Sequence, residues 1–221
     1  MAERVPSRLT AAFLGLEAVI YAAFLALDLT GRGGQTVPIK YAGVLLCLAY
    51  ALLCARRDGD RLVPIALALT AAADWFLLVR NDGYALGVAL FLCVQTVYFV
   101  RLRRAGAGSG YFLRSGLALG AGLAVYAAKL ASPLNLLAAL YFSQLLSNTV
   151  LAWTLSGTRW RRFALGLTLF VGCDACVGLF NALPPVSPLY PAVSVGMWLF
   201  YLPSQVLITL SALSEKEAHH E

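Results

Sequence analysis

The sequence predicts an all-α polytopic membrane protein of eight transmembrane helices, on three observations. Hydrophobic residues make up 60% of the 221 and charged residues only 13%, with a mean hydropathy of +0.76, far from the averages of soluble domains. Apolar segments of about 17 to 25 residues, the length that crosses a hydrocarbon core, recur eight times. The basic residues behind the net charge of +6 sit in short clusters between those segments. Such clusters are a topology signal, and they exclude nucleic acid as a partner. No stretch is long and polar enough for a soluble domain. Residues 1–221 are therefore expected to form a single helical-bundle domain in a lipid bilayer, with the charged tail 214–221 frayed.

The first segment, 9–29, follows Arg4 and Arg8 as the core of a signal peptide would. It is longer than such a core, and LALDLTGRGG offers no small-x-small cleavage site, so it reads as a retained helix. The next three segments span 37–55, 62–79 and 84–100, and the last four span 112–131, 134–155, 162–182 and 189–213. In the fifth, Gly116 and Gly120 form a G-x-x-x-G expected to be a close-packing surface. In the eighth, Pro203 between Tyr201 and Gln205 should bend the helix or free a carbonyl.

Orientation follows from the basic residues. With the N-terminus in the cytoplasm, the inside carries 13 of the 17: Arg4, Arg8, Arg56, Arg57, Arg61, Arg101, Arg103, Arg104, Arg114, Arg159, Arg161, Arg162 and Lys216. Only Arg32 and Arg80 fall outside, while Lys40 and Lys129 lie within segments. Both termini are then cytoplasmic, and the expected location is the plasma (inner) membrane of a bacterium.

The two halves share a pattern. Asp74 and Asp174 each close an L-x-L-x4-D, helices two and six open on Pro38-Ile39-Lys40 and Pro133-Leu134-Asn135, and helices four and eight each carry one glutamine, Gln95 and Gln205. Four helices per half make this a 4+4 parallel repeat, because an even number of crossings returns the chain to its starting side.

Ionisable residues inside a membrane are costly, which makes Asp74 and Asp174 the leading functional candidates. Counted at about 1.5 Å per residue from the outer helix ends, Lys40 lies a few Å deep, Asp74 roughly 7 Å and Asp174 about 12 Å. Glu17, near the middle of helix one, can join them or pair with Lys40, which can also snorkel to the interface. Tyr141, Gln144 and Asn148 form one stripe on helix six, Tyr201 and Gln205 another on helix eight, and Gln95 and Tyr98 share a face of helix four. These side chains either bind a substrate or join helices by hydrogen bonds.

Two carboxyls in unequal surroundings can divide acid and base work, as in cleavage of an acid-labile ether through an oxocarbenium-like state. The histidines, His219 and His220, lie in the tail, so no Ser-His-Asp triad and no His-ligated zinc forms in the bundle. Cys173 and Cys176 form a C-x-x-C without a second pair to complete a metal site, and read as packed thiols.

The order and spacing of these motifs resemble the YhhN-like membrane family, which includes the lysoplasmalogenases. The resemblance covers roughly residues 38 to 213. It rests on Lys40 in IKYAGVLL, Asp74 in AAADWFLL, the apolar helix YALGVALFLCVQTVYFVRL, Asp174 in LFVGCDACVGL and YLPSQVLI. The family has glycine where Ala73 stands, histidine at the position of Gln95 and proline at that of Tyr41.

The resemblance implies an eight-helix enzyme that hydrolyses the vinyl-ether bond of a lysophospholipid, releasing a fatty aldehyde. It makes Asp74 and Asp174 the catalytic pair, puts Lys40 near the lipid phosphate, and gives Tyr201, Gln205, Tyr141 and Gln144 the headgroup. No metal or organic cofactor is implied. The alternative reading is a transporter or binding protein for a lipid or small amphiphile, whose acids carry protons or hold a cationic headgroup.

Overall fold

The computed structural model describes residues 6–58 and 60–213. The tail 214–221 lies outside the described residues, as do Arg4 and Lys216. Eight α-helices follow in order: α1 (Ser7–Leu29), α2 (Val37–Asp58), α3 (Leu62–Asp74), α4 (Tyr84–Arg104), α5 (Tyr111–Ala127), α6 (Pro133–Trp153), α7 (Thr158–Ala182) and α8 (Tyr190–Leu210). There is no strand among the described residues. Seven of the helical stretches, all but α5, are long and apolar enough to cross a membrane. The 17 residues of α5 reach about 25 Å at 1.5 Å each.

Local chemistry explains the ends. Pro133 opens α6 in the first turn, where its missing N–H costs nothing, and the Ser132 hydroxyl accepts from the Asn135 amide at 3.1 Å. Inside α8, Pro203 has no N–H for the Leu199 carbonyl. The Tyr21 hydroxyl donates to that carbonyl at 3.3 Å instead, so the proline ties α8 to α1. Directly after Asp74 the chain widens into a π-helical turn over Trp75–Val79, with the Arg80 amide donating to the Trp75 carbonyl at 2.8 Å.

Helices α2, α3, α4, α6, α7 and α8 each pack on the next, and α8 closes back on α2. The remaining two flank this ring, α1 against α2 and α8, and α5 against α6. Two glycines let backbones approach. A Cβ on Gly43 would meet Leu202 Cδ1 at 2.8 Å and Glu17 Oε2 at 3.3 Å, and one on Gly166 would meet the Ile208 amide nitrogen and the Ser204 carbonyl oxygen, each at 3.1 Å. Gly116 and Gly120, by contrast, face outward with nothing near a Cβ. The expected close-packing surface has no partner among the described residues, because α5 meets α6 through its other side.

The arrangement inverts that of a water-soluble fold. Leu16, Val19, Leu119, Leu123 and Val150 are exposed, whereas Glu17, Lys40, Asp74, Gln95, Asn148 and Gln205 are buried. Apolar outer faces around a polar interior suit a lipid bilayer.

Candidate functional site

Each aspartate has a tyrosine partner on a different helix. The Tyr201 hydroxyl of α8 donates to Asp74 Oδ2 of α3 at 2.5 Å, and the Tyr141 hydroxyl of α6 donates to Asp174 Oδ2 of α7. Asp74 is buried and Asp174 half-buried. Cys173, the residue before Asp174 on α7, is buried beside it. Aromatic rings wall the site in edge-on and tilted contacts: Tyr201 to Phe170 at 5.5 Å, Phe170 to Phe91 at 5.6 Å, and Phe91 to Tyr141 at 5.7 Å. The chain of rings thus links the tyrosine that holds Asp74 to the one that holds Asp174, in surroundings of low polarity where electrostatic interactions are strong.

The fold explains why Asp74 can be there. It is the last residue of α3 before the π turn, and on the same helix the Ala71 carbonyl accepts from Tyr41 of α2 at 3.3 Å. The tyrosine ring lies 6.0 Å from Trp75. The widened turn re-aims the chain beyond the carboxylate and leaves Asp74 braced on α2 and α8.

Lys40 does not join the acids. Its ammonium pairs with Asp28 Oδ2 at 2.7 Å, with both side chains about nine-tenths buried, and it faces the Trp198 ring at 5.0 Å. The Thr36 hydroxyl donates to the other Asp28 oxygen at 3.0 Å. Asp28 was not singled out in the sequence, although both residues sit at the ends of α1 and α2 that a short turn joins. Glu17 is likewise not paired with Lys40. Its Oε1 accepts from the Cys47 thiol at 3.3 Å, and Oε2 has no partner among the described residues. Lys129 lies beyond the end of α5 with a φ of 58°, not within a helix.

The amides separate too. Asn148 Nδ2 donates to the Gln95 carbonyl at 2.8 Å and to its Oε1 at 3.0 Å, joining α6 to α4, and Asn148 Oδ1 accepts from Arg114 at 2.8 Å. Gln144 donates to the neighbouring Ser143 hydroxyl at 3.2 Å and lines a lateral cleft. Gln205, one turn beyond Tyr201, is wholly buried with neither amide atom hydrogen-bonded among the described residues. Thr70, Ser204, Thr209 and Tyr98 also have unpartnered buried hydroxyls. The stripes of α6 and α8 therefore each give one residue, a tyrosine, to the acid site.

At one end of the bundle Asp60 Oδ2 receives Arg101 at 3.1 Å and is also paired with Arg159. Arg101 further donates to the Ser211 hydroxyl at 3.0 Å and carbonyl at 2.7 Å. This network clasps the ends of α4, α7 and α8 to the link between α2 and α3. The clustering of arginines hinted at it, but the acceptor, a loop aspartate, gave no signal of its own. Among the described residues no group of three or more His, Cys, Asp or Glu side chains could hold a metal ion.

The YhhN family model matches residues 35–212, which carry both acids and both tyrosines. The chain belongs to the YhhN family. Comparisons with curated proteins and with solved structures give no match. The YhhN match takes in α2 to α8 and leaves out α1, so Glu17 and Asp28 lie outside the family core.

Proposed function

We propose that the chain hydrolyses the vinyl-ether bond of a lysophospholipid within the bilayer, with Asp74 and Asp174 as the acid pair. One observation carries this reading: two carboxyls on different helices are each held by a tyrosine hydroxyl from a further helix, and ring contacts through Phe170 and Phe91 link the two tyrosines. Membership of the YhhN family adds to it.

The chemistry needs two such groups. One carboxyl, as the acid, transfers its proton to the outer vinyl carbon, and the resulting oxocarbenium ion is stabilised by the second, ionised carboxylate. Water adds to the cationic carbon and gives up a proton to a carboxylate. The hemiacetal then breaks its bond to the glycerol oxygen, which takes a proton, leaving an alcohol and a fatty aldehyde. Water is the only co-reactant. The tyrosines fix the carboxyl orientations throughout.

Arg101, Arg159 and Asp60 gather at one end of the bundle, which supports a cytoplasmic assignment for that end and for both termini. A bacterial inner membrane is the proposed setting. The flanking places of α1 and α5, each the first helix of its half, support the parallel repeat.

Purified Asp74→Asn and Asp174→Asn should each abolish aldehyde release from a lysoplasmenyl lipid while inserting into membranes normally. Full activity in either would sink the two-acid mechanism. Uptake driven by a pH gradient, with no product formed, would select a transporter instead.

A further inference from the structure

We propose that the lateral cleft between α4 and α5, floored by α6, binds the lysophospholipid, with Arg114 on its phosphate. The identity of the ligand rests on the hydrolase reading, and the site rests on the observations that follow.

Among the helices of the described residues α5 packs on α6 alone. A cleft of about 430 Å³ therefore stays open beside α4, lined by Leu92, Thr96, Arg114, Ser115, Leu140 and Gln144 among others. A cleft that faced only acyl chains would gain nothing from polar walls, since polar groups in hydrocarbon need partners. Arg114 is the decisive member. Its guanidinium lies 4.0 Å from the centre of the Phe99 ring on α4 and donates to Asn148 Oδ1 on α6 at 2.8 Å. It is thus held across the end of the cleft. It has no carboxylate partner among the described residues. A guanidinium has five N–H donors in a fork that matches phosphate. A fixed, unneutralised cation in a lipid-facing cleft is complementary to a phosphate.

Lys40, which the resemblance puts beside the phosphate, is already neutralised by Asp28. Arg114 is not, and α6 sets its relation to the acids. Tyr141 holds Asp174, Gln144 lines the cleft one turn further, and Asn148 one more turn along holds Arg114. Tyr141 and Asn148 are separated by about 10 Å along the helix axis. With its phosphate at the Arg114 end, a lysophospholipid points its chain toward the middle of the bundle. Its glycerol passes Gln144, and the vinyl ether reaches the level of Asp174.

The test is equilibrium binding of a radiolabelled 1-O-alkyl lysophospholipid, which lacks the vinyl double bond and is not hydrolysed, to the purified full chain. Arg114→Ala should weaken binding at least tenfold, while Arg80→Ala, at an exposed arginine away from the cleft, binds as the parent does. Ser115→Trp, which fills the cleft from an exposed position, should also weaken binding at least tenfold. The phosphate-free 1-O-alkylglycerol should not distinguish the parent from Arg114→Ala. The proposal is overturned if folded Arg114→Ala retains parental affinity. If that variant does not fold, parental affinity in Ser115→Trp overturns it equally, as does competition by diacyl phospholipid on equal terms. If Arg114-dependent binding is found but the vinyl-ether lipid is not cleaved, the binding site stands and the hydrolase reading falls.

Discussion

The hydroxyl of Tyr201 lies 2.5 Å from Asp74 Oδ2 and joins α8 to the carboxyl that closes α3. The residues are 127 apart in sequence, and the bond joins two helices that both pack on α2. Both side chains are buried, so the hydroxyl supplies a polar partner where there is little water to replace it.

Tyr201→Phe removes that hydroxyl and keeps the ring contacts to Phe170 and Trp198. A hydrogen bond to a charged group contributes about 1.5–3 kcal/mol. Aldehyde release should therefore fall roughly 10- to 100-fold, and the melting temperature by a few degrees. In an Asp74→Asn background the same substitution should cost almost no further stability, because the two act as one unit. Additive losses in the cycle would show that Tyr201 acts elsewhere.

Much of the fold was legible because hydropathy and helix length are coupled in a membrane. The expected segment 62–79 coincides with α3 and its π turn together, and 37–55 opens α2 at the right residue. Two of the boundaries that moved carry arginines. α4 runs on to Arg104 instead of stopping near 100, and α7 starts at Thr158 instead of 162. Arg101 and Arg159 stay helical while their side chains reach Asp60. The acids and their tyrosines were readable as polar positions in apolar helices. Which tyrosine serves which acid was not readable, because that depends on the rotation of each helix against neighbours far away in the chain. The same limit explains Lys40, whose partner Asp28 is set by the packing of α1 on α2, and Gly116 with Gly120, since packed and unpacked glycine faces have the same spacing.

The Lys40–Asp28 pair makes a stability prediction. Removing one member of a buried pair leaves the other charge uncompensated, at about 3–5 kcal/mol. Lys40→Met should lower the melting temperature in detergent sharply, and Lys40→Met with Asp28→Leu should recover most of the loss. A double variant no more stable than the single would show that the ammonium serves more than Asp28.

Asp60 receives two guanidiniums, one of them from the buried Arg101. Asp60→Asn leaves both without their counter-charge and should destabilise the bundle by several kcal/mol. Proteolysis ought to find the 58–61 link more readily in this variant. Arg80→Ala removes only an exposed pair with Asp82 at the other end and should leave stability unchanged, as exposed ion pairs contribute little.

At Gly166 the backbones of α7 and α8 come close together. The helices there carry Asp174 and Tyr201, so their spacing sets the width of the acid site. A Cβ at Gly166 would meet the Ser204 carbonyl and the Ile208 amide, which are backbone atoms and cannot rotate away. Gly166→Ala should force the helices apart at a cost of about 1–3 kcal/mol. Activity should fall further than that loss of stability explains, because the displaced tyrosine no longer reaches its carboxyl. Gly120→Ala, on an outward face with open space around it, is the matched control and should be neutral or slightly stabilising through helix propensity. Measuring turnover and melting temperature for both separates the effects. Parental activity in a folded Gly166→Ala would mean that the acid site tolerates a shift of α8, and that the tyrosine bond is not what positions Asp74.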